Sequence, residues 1–112
     1  MQVKVIRAYI SEFPNPLKLK KGDTVIIDNS KDKHGGWKFC KTNNNEGWIP
    51  KTYLNINGKS AKLNRDYDAT ELSLKEGQVL EVFYEESGWF WCKTEDSKYG
   101  WYPKEATEAI GI

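Results

Sequence analysis

The stretch GWIPK at residues 47–51 decides the fold, because it returns as GWYPK at residues 100–104. Two longer stretches precede it and recur in the same order: LKLKKGDTV at 17–25 returns as LSLKEGQVL at 72–80, and WKFCKT at 37–42 returns as WFWCKT at 89–94. Three blocks at nearly one offset indicate an internal duplication. The small differences in offset are insertions or deletions, which belong in loops.

The duplication predicts two domains in a chain of 112 residues, one at 1–57 and one at 58–112. A domain of about 55 residues buries only roughly 60% of its unfolded surface, so we expect modest stability for each. The join at 54–63 contains Asn57-Gly58, a strong hairpin signal, and no long flexible run. We therefore expect a short linker that holds the two domains in a fixed orientation.

The blocks have the pattern of β-strands. Apolar and polar residues alternate at 3–5, 17–19, 72–74 and 79–83, which is the period of a half-buried strand. Residues that favour tight turns lie between these segments, at 21–23, 43–47 and 86–88 among others. No segment sustains helical spacing over three turns. The sequence therefore predicts an all-β fold of small antiparallel barrels.

Four phrases in each repeat resemble the Src homology 3 (SH3) family. The first repeat has VIRAY at 5–9, LKLKKG at 17–22, GW at 36–37 and GWIPKTYL at 47–54; the second has LNRDY at 63–67, ELSL at 71–74, GW at 88–89 and GWYP at 100–103. They resemble the family's opening strand, diverging turn, groove tryptophan and closing phrase. The resemblance implies two tandem SH3-like barrels.

The same resemblance implies a function. SH3 domains bind an extended, often proline-rich peptide in a shallow aromatic groove, and such a ligand is already stiff, so it loses little entropy on binding. The matching groove positions are Tyr9, Trp37, Trp48, Pro50 and Tyr53 in the first repeat, and Tyr67, Glu71, Trp89, Trp101 and Pro103 in the second. We expect Trp37 and Trp89 to be exposed, and the first repeat, with its fuller aromatic set, to be the primary site.

Some positions depart from the family pattern. Arg7 and Arg65 stand where typical members carry the first groove tyrosine, and Pro16 stands in the acidic place that Glu71 fills in the second repeat. The second repeat also has Ala106 where the first has Tyr53. These departures make the chain more similar to the divergent SH3 domains of bacterial proteins than to a signalling adaptor.

Charge and composition bear on the class of partner. Residues 1–57 carry a net charge of +5 and residues 58–112 one of −4, and the sequence pI is about 7.7. A nucleic-acid binder has a coherent basic surface and a higher pI, so we expect no nucleic-acid partner. The alternation in residues 1–7 does not fit a signal peptide and no segment fits a membrane span. We therefore expect a cytoplasmic protein without a membrane partner.

The sequence offers little for catalysis, metals or cofactors. Cys40 and Cys92 occupy equivalent positions in the two repeats, where we expect buried, reduced thiols. The single histidine, His34, lies in a KDKHGG loop and is expected to be solvated. We expect no enzyme activity, no cofactor and no metal site. The alternative function is binding to cell-wall peptidoglycan, as in bacterial SH3-like modules, against which the absence of an export signal and of a hydrolase counts.

Overall fold

The computed structural model describes residues 1–31 and 35–110, and within them the protein is all-β. None of its helical turns in this part of the chain is long or apolar enough to cross a membrane. The strands are β1 (Gln2–Val5), β2 (Lys18–Leu19), β3 (Thr24–Ile27), β4 (Trp37–Lys41), β5 (Glu46–Pro50), β6 (Leu54–Asn57), β7 (Ser60–Leu63), β8 (Tyr67–Asp68), β9 (Val79–Glu86), β10 (Trp89–Thr94), β11 (Tyr99–Pro103) and β12 (Thr107–Ala109). Short 3-10 turns lie at Asn29–Lys31, Lys51–Tyr53 and Lys104–Ala106.

The strands form two compact units. Unit 1 consists of Met1–Pro14 together with Thr70–Ile112, and its five-stranded sheet has the order β11-β10-β9-β1-β12. Unit 2 consists of Asn15–Ala69 and has a five-stranded sheet in the order β5-β4-β3-β7-β6, with the small β2-β8 pair beside it. All of these strand pairs are antiparallel, which confirms the predicted fold class.

Each unit takes its opening strand from the other repeat. In unit 1, β1 of the first repeat lies between β9 and β12, with Val3 opposite Leu80 and Ala109. In unit 2, β7 of the second repeat occupies the corresponding place between β3 and β6, with Ala61 opposite Val25 and Ile56. The predicted division at 57/58 therefore describes the sequence repeats, whereas the compact units change at 14/15 and 69/70.

The exchange also changes the role of the join between the repeats. Strands β6 and β7 pair as a hairpin, Asn57 opposite Ser60, and Gly58 has the positive φ of +65° that this tight turn requires. The predicted hairpin at Asn57-Gly58 is confirmed. The predicted use of this segment as a linker between domains is not, because the hairpin lies inside the sheet of unit 2.

Alternating burial explains why the exchanged strands fit their places. Val3 and Val5 of β1 are buried while Gln2 and Lys4 are exposed. Strand β7 shows the same alternation, with Ala61 and Leu63 buried. A strand with this period presents one apolar face to a core. The core of unit 1 joins Val3 and Val5 to residues of the second repeat: Leu72, Leu74, Leu80, Phe90, Cys92, Tyr102 and Ala106.

The two cysteines lie in separate cores. Cys40 in unit 2 and Cys92 in unit 1 are fully buried and free. Burial raises the pKa of both thiols to about 12. Both therefore stay protonated and unreactive near neutral pH, in agreement with the structural role that their equivalent positions predict.

Gly100 allows the chain to approach β11 closely. A Cβ at this position would lie 2.9 Å from the Thr70 carbonyl oxygen and 3.0 Å from the Leu72 side chain, whereas at the equivalent Gly47 it would meet only Leu17, at 3.4 Å. We expect Gly100→Ala to lower the free energy of unfolding by about 2 kcal/mol, because backbone must move. Urea denaturation measures this, with Gly47→Ala as the matched control, which should lose about half as much or less.

Candidate binding grooves

Tyr9 lies at the centre of the aromatic cluster of unit 1. Its ring meets Trp89 edge to face, with centroids 5.6 Å apart and planes at 80°, and meets Tyr102 at 5.9 Å and 88°. Backbone hydrogen bonds between Tyr9 and Leu74, of 3.1 and 3.0 Å, fix its position. The exchange thus joins a groove residue predicted in the first repeat to groove residues of the second.

Glu71 lies at one end of this cluster and is held by Tyr9. The Tyr9 hydroxyl donates a 2.6 Å hydrogen bond to Oε1 of Glu71, which is half-buried. Burial raises the pKa of the Glu71 carboxyl group, and burial together with this carboxylate raises the pKa of Tyr9. Tyr9 remains protonated, so it presents a stable donor to the carboxylate.

Trp89 and Pro103 form the adjoining wall. They lie directly opposite each other on β10 and β11, so their side chains share one face of the sheet. Trp89 is half-buried and Pro103 is buried. Tyr102, which precedes Pro103 on β11, is buried in the core. Its hydroxyl donates a 2.8 Å hydrogen bond to the Arg7 carbonyl oxygen. This bond ties the segment that carries Tyr9 to the strand that carries Pro103.

The Arg7 side chain contacts Glu105. Its Nη2 donates a 2.9 Å hydrogen bond to the Glu105 carbonyl oxygen and lies 3.7 Å from the Glu105 carboxylate. Both side chains are well exposed. The neighbouring Ala106 is buried and supplies no ring.

Unit 2 has a second cluster of matching residues. Tyr67, from the second repeat, meets Tyr53 edge to face at 5.4 Å and donates a 2.8 Å hydrogen bond to the Trp48 carbonyl oxygen. Trp37 lies opposite Pro50, as Trp89 lies opposite Pro103 in unit 1. The guanidinium carbon of Arg65 lies 4.4 Å from the centre of the Tyr53 ring, a cation–π contact that covers one ring face.

The two clusters differ in the exposure of their aromatic side chains. Trp37, Tyr53 and Tyr67 are each only 5% exposed, whereas Tyr9 and Trp89 are half-buried and keep accessible surface. The predicted exposure of Trp37 is therefore wrong. Its indole lies in a closely packed environment, while Trp89 keeps accessible surface. The aromatic cluster of unit 1 is therefore more accessible than the cluster around Trp37.

Trp48 and Trp101 lie one row away from the groove walls. Trp101 is 3% exposed and meets Trp91 at 5.4 Å and Tyr84 at 5.8 Å. Trp48 is half-buried and meets Phe39 edge to face at 5.1 Å. The structure therefore places these two predicted groove residues one row from the wall prolines, where Trp101 is bridged to Glu71 and the Trp48 carbonyl oxygen accepts the hydrogen bond from Tyr67. The strand register explains this, because they precede the wall prolines by two residues on the same sheet face.

The raised pKa of Glu71 predicts a pH dependence of stability. A carboxyl group whose folded pKa exceeds its unfolded value binds protons more tightly in the folded state, so its contribution is present at low pH and is lost as pH rises through the folded pKa. Glu71→Gln removes this titrating group, so we expect its free energy of unfolding to depend less on pH. Relative to the natural protein, the variant should become more stable from pH 4 to pH 7. Urea denaturation of both proteins at several pH values measures the difference; a constant difference would contradict the expectation.

Sequence reasoning located most residue types of the site but missed Tyr102. This residue is fully buried, and only the structure shows that its hydroxyl bonds to the segment before Tyr9. A signal was present in the sequence, since Tyr102 replaces Ile49 of the first repeat and brings a hydroxyl into a core position.

The expectation for His34 concerns a residue outside the described ranges. Among the described residues, no three His, Cys, Asp or Glu side chains are grouped to hold a metal ion.

Comparison with known families gives one match for each repeat. The family model described as the variant SH3 domain matches residues 3–57 and again residues 61–110. Together the two matches cover nearly the whole chain. They follow the sequence repeats and therefore cross the boundaries of the compact units at 14/15 and 69/70.

Proposed function

Because the chain belongs to the variant SH3 domain family, whose members are non-catalytic modules that bind protein or peptide segments, we propose that unit 1 binds an extended, proline-rich peptide. The observation that carries the proposal is the half-buried pair of Tyr9 and Trp89, set at 80° to each other beside Pro103. Both rings keep accessible surface beside Pro103. A polyproline II ligand is already stiff, so its ridges can pack on exposed aromatic rings at small entropic cost.

Glu71 supports a charge preference for this ligand. Its carboxylate lies at the end of the groove next to Tyr9, and Glu12 also contributes negative charge there. Unit 1 as a whole contains ten acidic and six basic residues. A lysine or arginine beside the prolines of the ligand would therefore find opposite charge, and binding would weaken with salt.

Substitution of the groove tryptophan tests the proposal. We expect Trp89→Ala to weaken binding of a proline-rich peptide by about 2 kcal/mol, or roughly thirtyfold, because the ring supplies most of the apolar contact. Titration calorimetry with synthetic peptides measures the affinity, and circular dichroism checks the fold. Ile26→Ala, at a 55% exposed site in unit 2, is the control.

The outcome separates the proposal from the alternatives. A folded Trp89→Ala protein that binds such peptides with unchanged affinity would refute the assignment of the groove. Co-sedimentation of the natural protein with purified peptidoglycan, together with no peptide binding, would instead support the cell-wall function.

A further inference from the structure

The turn between β6 and β7 of unit 2 places a side-chain amide next to a backbone nitrogen with which it can react. Asn57 ends β6 and is exposed, and Gly58 follows it in the turn. Neither the Asn57 amide group nor the Gly58 N–H group makes a hydrogen bond to any residue that the structure describes. A Cβ at Gly58 would have no atom within 4 Å. Both groups are therefore accessible and unhindered.

The reaction between these two groups is an intramolecular deamidation. The Gly58 nitrogen loses its proton to solvent and attacks Cγ of Asn57. The new C–N bond closes a succinimide ring, and the bond between Cγ and Nδ2 breaks and releases ammonia. Water then opens the ring, either to aspartate or to isoaspartate, in which the main chain runs through Cγ. Glycine favours ring closure because it has no Cβ beside the attacking nitrogen.

The other asparagines of the chain lack this combination. Asn57 is the only asparagine that precedes a glycine. The amide groups of Asn45 and Asn64 donate hydrogen bonds of 3.2 and 3.0 Å to backbone carbonyl oxygens. The backbone nitrogens that follow Asn43 and Asn44 each donate a 3.2 Å hydrogen bond to a threonine hydroxyl. Hydrogen bonds therefore restrain either the amide or the attacking nitrogen at these four sites.

The position of Asn57 in the sheet allows the reaction and gives its product a structural effect. Strand β6 is at the edge of the unit 2 sheet, and Asn57 is its last residue. The turn can therefore open by losing only the pair of Asn57 with Ser60, including the 3.3 Å hydrogen bond from the Ser60 hydroxyl to the Asn57 carbonyl oxygen. An isoaspartyl link adds one main-chain atom before Gly58. The geometry of a two-residue turn fixes the register of its hairpin, so this pair cannot be restored.

We propose that Asn57 is a site of spontaneous deamidation, at which the protein converts its own hairpin turn into an isoaspartyl link and thereby weakens the sheet of unit 2. The reaction consumes only water. Its rate rises with pH, because the Gly58 nitrogen must lose its proton before it attacks. The inference does not depend on the proposed peptide groove, whose residues belong to unit 1.

Incubation of the full-length protein at mildly alkaline pH tests the site. Trypsin cleaves after Lys51 and Lys59, and the peptide of residues 52–59 contains both Asn55 and Asn57. Asn55 is the matched control, since it lies on the same strand but precedes the β-branched Ile56. We expect Asn57 to convert about tenfold faster than Asn55 or more, because glycine does not crowd the attacking nitrogen. Mass spectrometry with electron-transfer fragmentation locates the change and distinguishes isoaspartate from aspartate.

Two variants separate the backbone effect from the charge. Asn57→Asp carries the new carboxylate on a normal main chain, and Asn57→Gln removes the reactive asparagine. Thermal melts should show that the isolated isoaspartyl form unfolds about 4 °C below Asn57→Asp or lower, which corresponds to the loss of about 1 kcal/mol in a small domain. Asn57→Gln should keep its melting temperature through the same incubation.

Two results would overturn the inference. Conversion at Asn57 no faster than at Asn55 in the folded protein, together with rapid conversion at Asn57 in urea, would show that the hairpin protects the site. An isoaspartyl form that melts at the temperature of Asn57→Asp would show that the sheet tolerates the longer main chain. Faster conversion at Asn57 together with a lower melting temperature supports both parts of the proposal.

Discussion

The fragment of residues 15–69 is expected to fold on its own, whereas the fragment of residues 1–57 is expected to be substantially less stable. The first contains all strands of unit 2, from β2 to β8. The second lacks β7, which lies inside the sheet between β3 and β6. We expect the first to unfold cooperatively, with a free energy of a few kcal/mol, as is typical of domains of this size.

We expect the fragment 1–57 to be less stable because side-chain volumes are matched between the paired strands of each sheet, and β1 does not match the place of β7. In unit 2 the smaller pair, Val25 and Ala61, lies side by side, and in unit 1 the larger pair, Leu80 and Val3, does so. If β1 replaced β7, Val3 would enter the place of Ala61 and overpack it. Val5 would enter the place of Leu63 and leave a gap. Each error costs about 1 kcal/mol or more.

Urea denaturation followed by tryptophan fluorescence compares the two fragments, since both contain Trp37 and Trp48. A fragment made by joining residues 70–110 to residues 1–14 is the matching test of unit 1. Its new junction is short, because Ile110 N–H donates a 3.2 Å hydrogen bond to the Gln2 carbonyl oxygen. Equal stability of 1–57 and 15–69 would show that β1 can close the sheet of its own repeat.

A charge at Val5 is expected to unfold unit 1 and to spare unit 2. Val5 is fully buried in the core formed with Leu72, Leu80 and other residues of the second repeat. Burying an unpaired carboxylate there costs about 4 kcal/mol or more, which is comparable to the whole stability of so small a unit. In Val5→Asp the NMR indole signals of Trp89, Trp91 and Trp101 should therefore shift to the values of an unfolded chain. The signals of Trp37 and Trp48 should stay dispersed.

Leu63→Asp is the mirror experiment. Leu63 is 2% exposed and pairs with Leu54 inside unit 2, so its replacement should affect Trp37 and Trp48 and leave the other three indoles unchanged. The two variants together report which repeat supplies each core. Loss of the Trp37 and Trp48 signals in Val5→Asp would mean that each repeat folds on itself.

The exchange has a functional consequence for the groove of unit 1. Tyr9 comes from the first repeat, and Glu71, Trp89 and Pro103 come from the second. The proposed groove therefore takes residues from both repeats, since neither repeat contains the full set. Ligand binding should therefore stabilise the docking of the N-terminal segment onto unit 1.

Much of this could be predicted from the sequence for local reasons. The alternation at residues 3–5 and 60–63 determines strands with one buried face, and Asn57-Gly58 determines a hairpin. Gly22 and Gly77, at equivalent places in the repeats, share a φ of +93° that favours glycine. Tyr9 and Trp89 could be predicted as groove residues from the phrases VIRAY at 5–9 and GW at 88–89 alone, because each phrase is local.

The sequence by itself therefore determined the strand positions, the turns, the duplication and the aromatic residues that are predicted to line a groove. Only the tertiary structure decided which copy of each strand enters which sheet, and hence that Tyr9 meets Trp89 and Glu71 rather than Trp37. The physical reason is that β1 and β7 have the same alternating pattern and satisfy the same backbone hydrogen bonds. The choice between them depends on the fit of side-chain volumes such as Val3 against Leu80 and Ala61 against Val25, and this fit exists only once the cores are assembled.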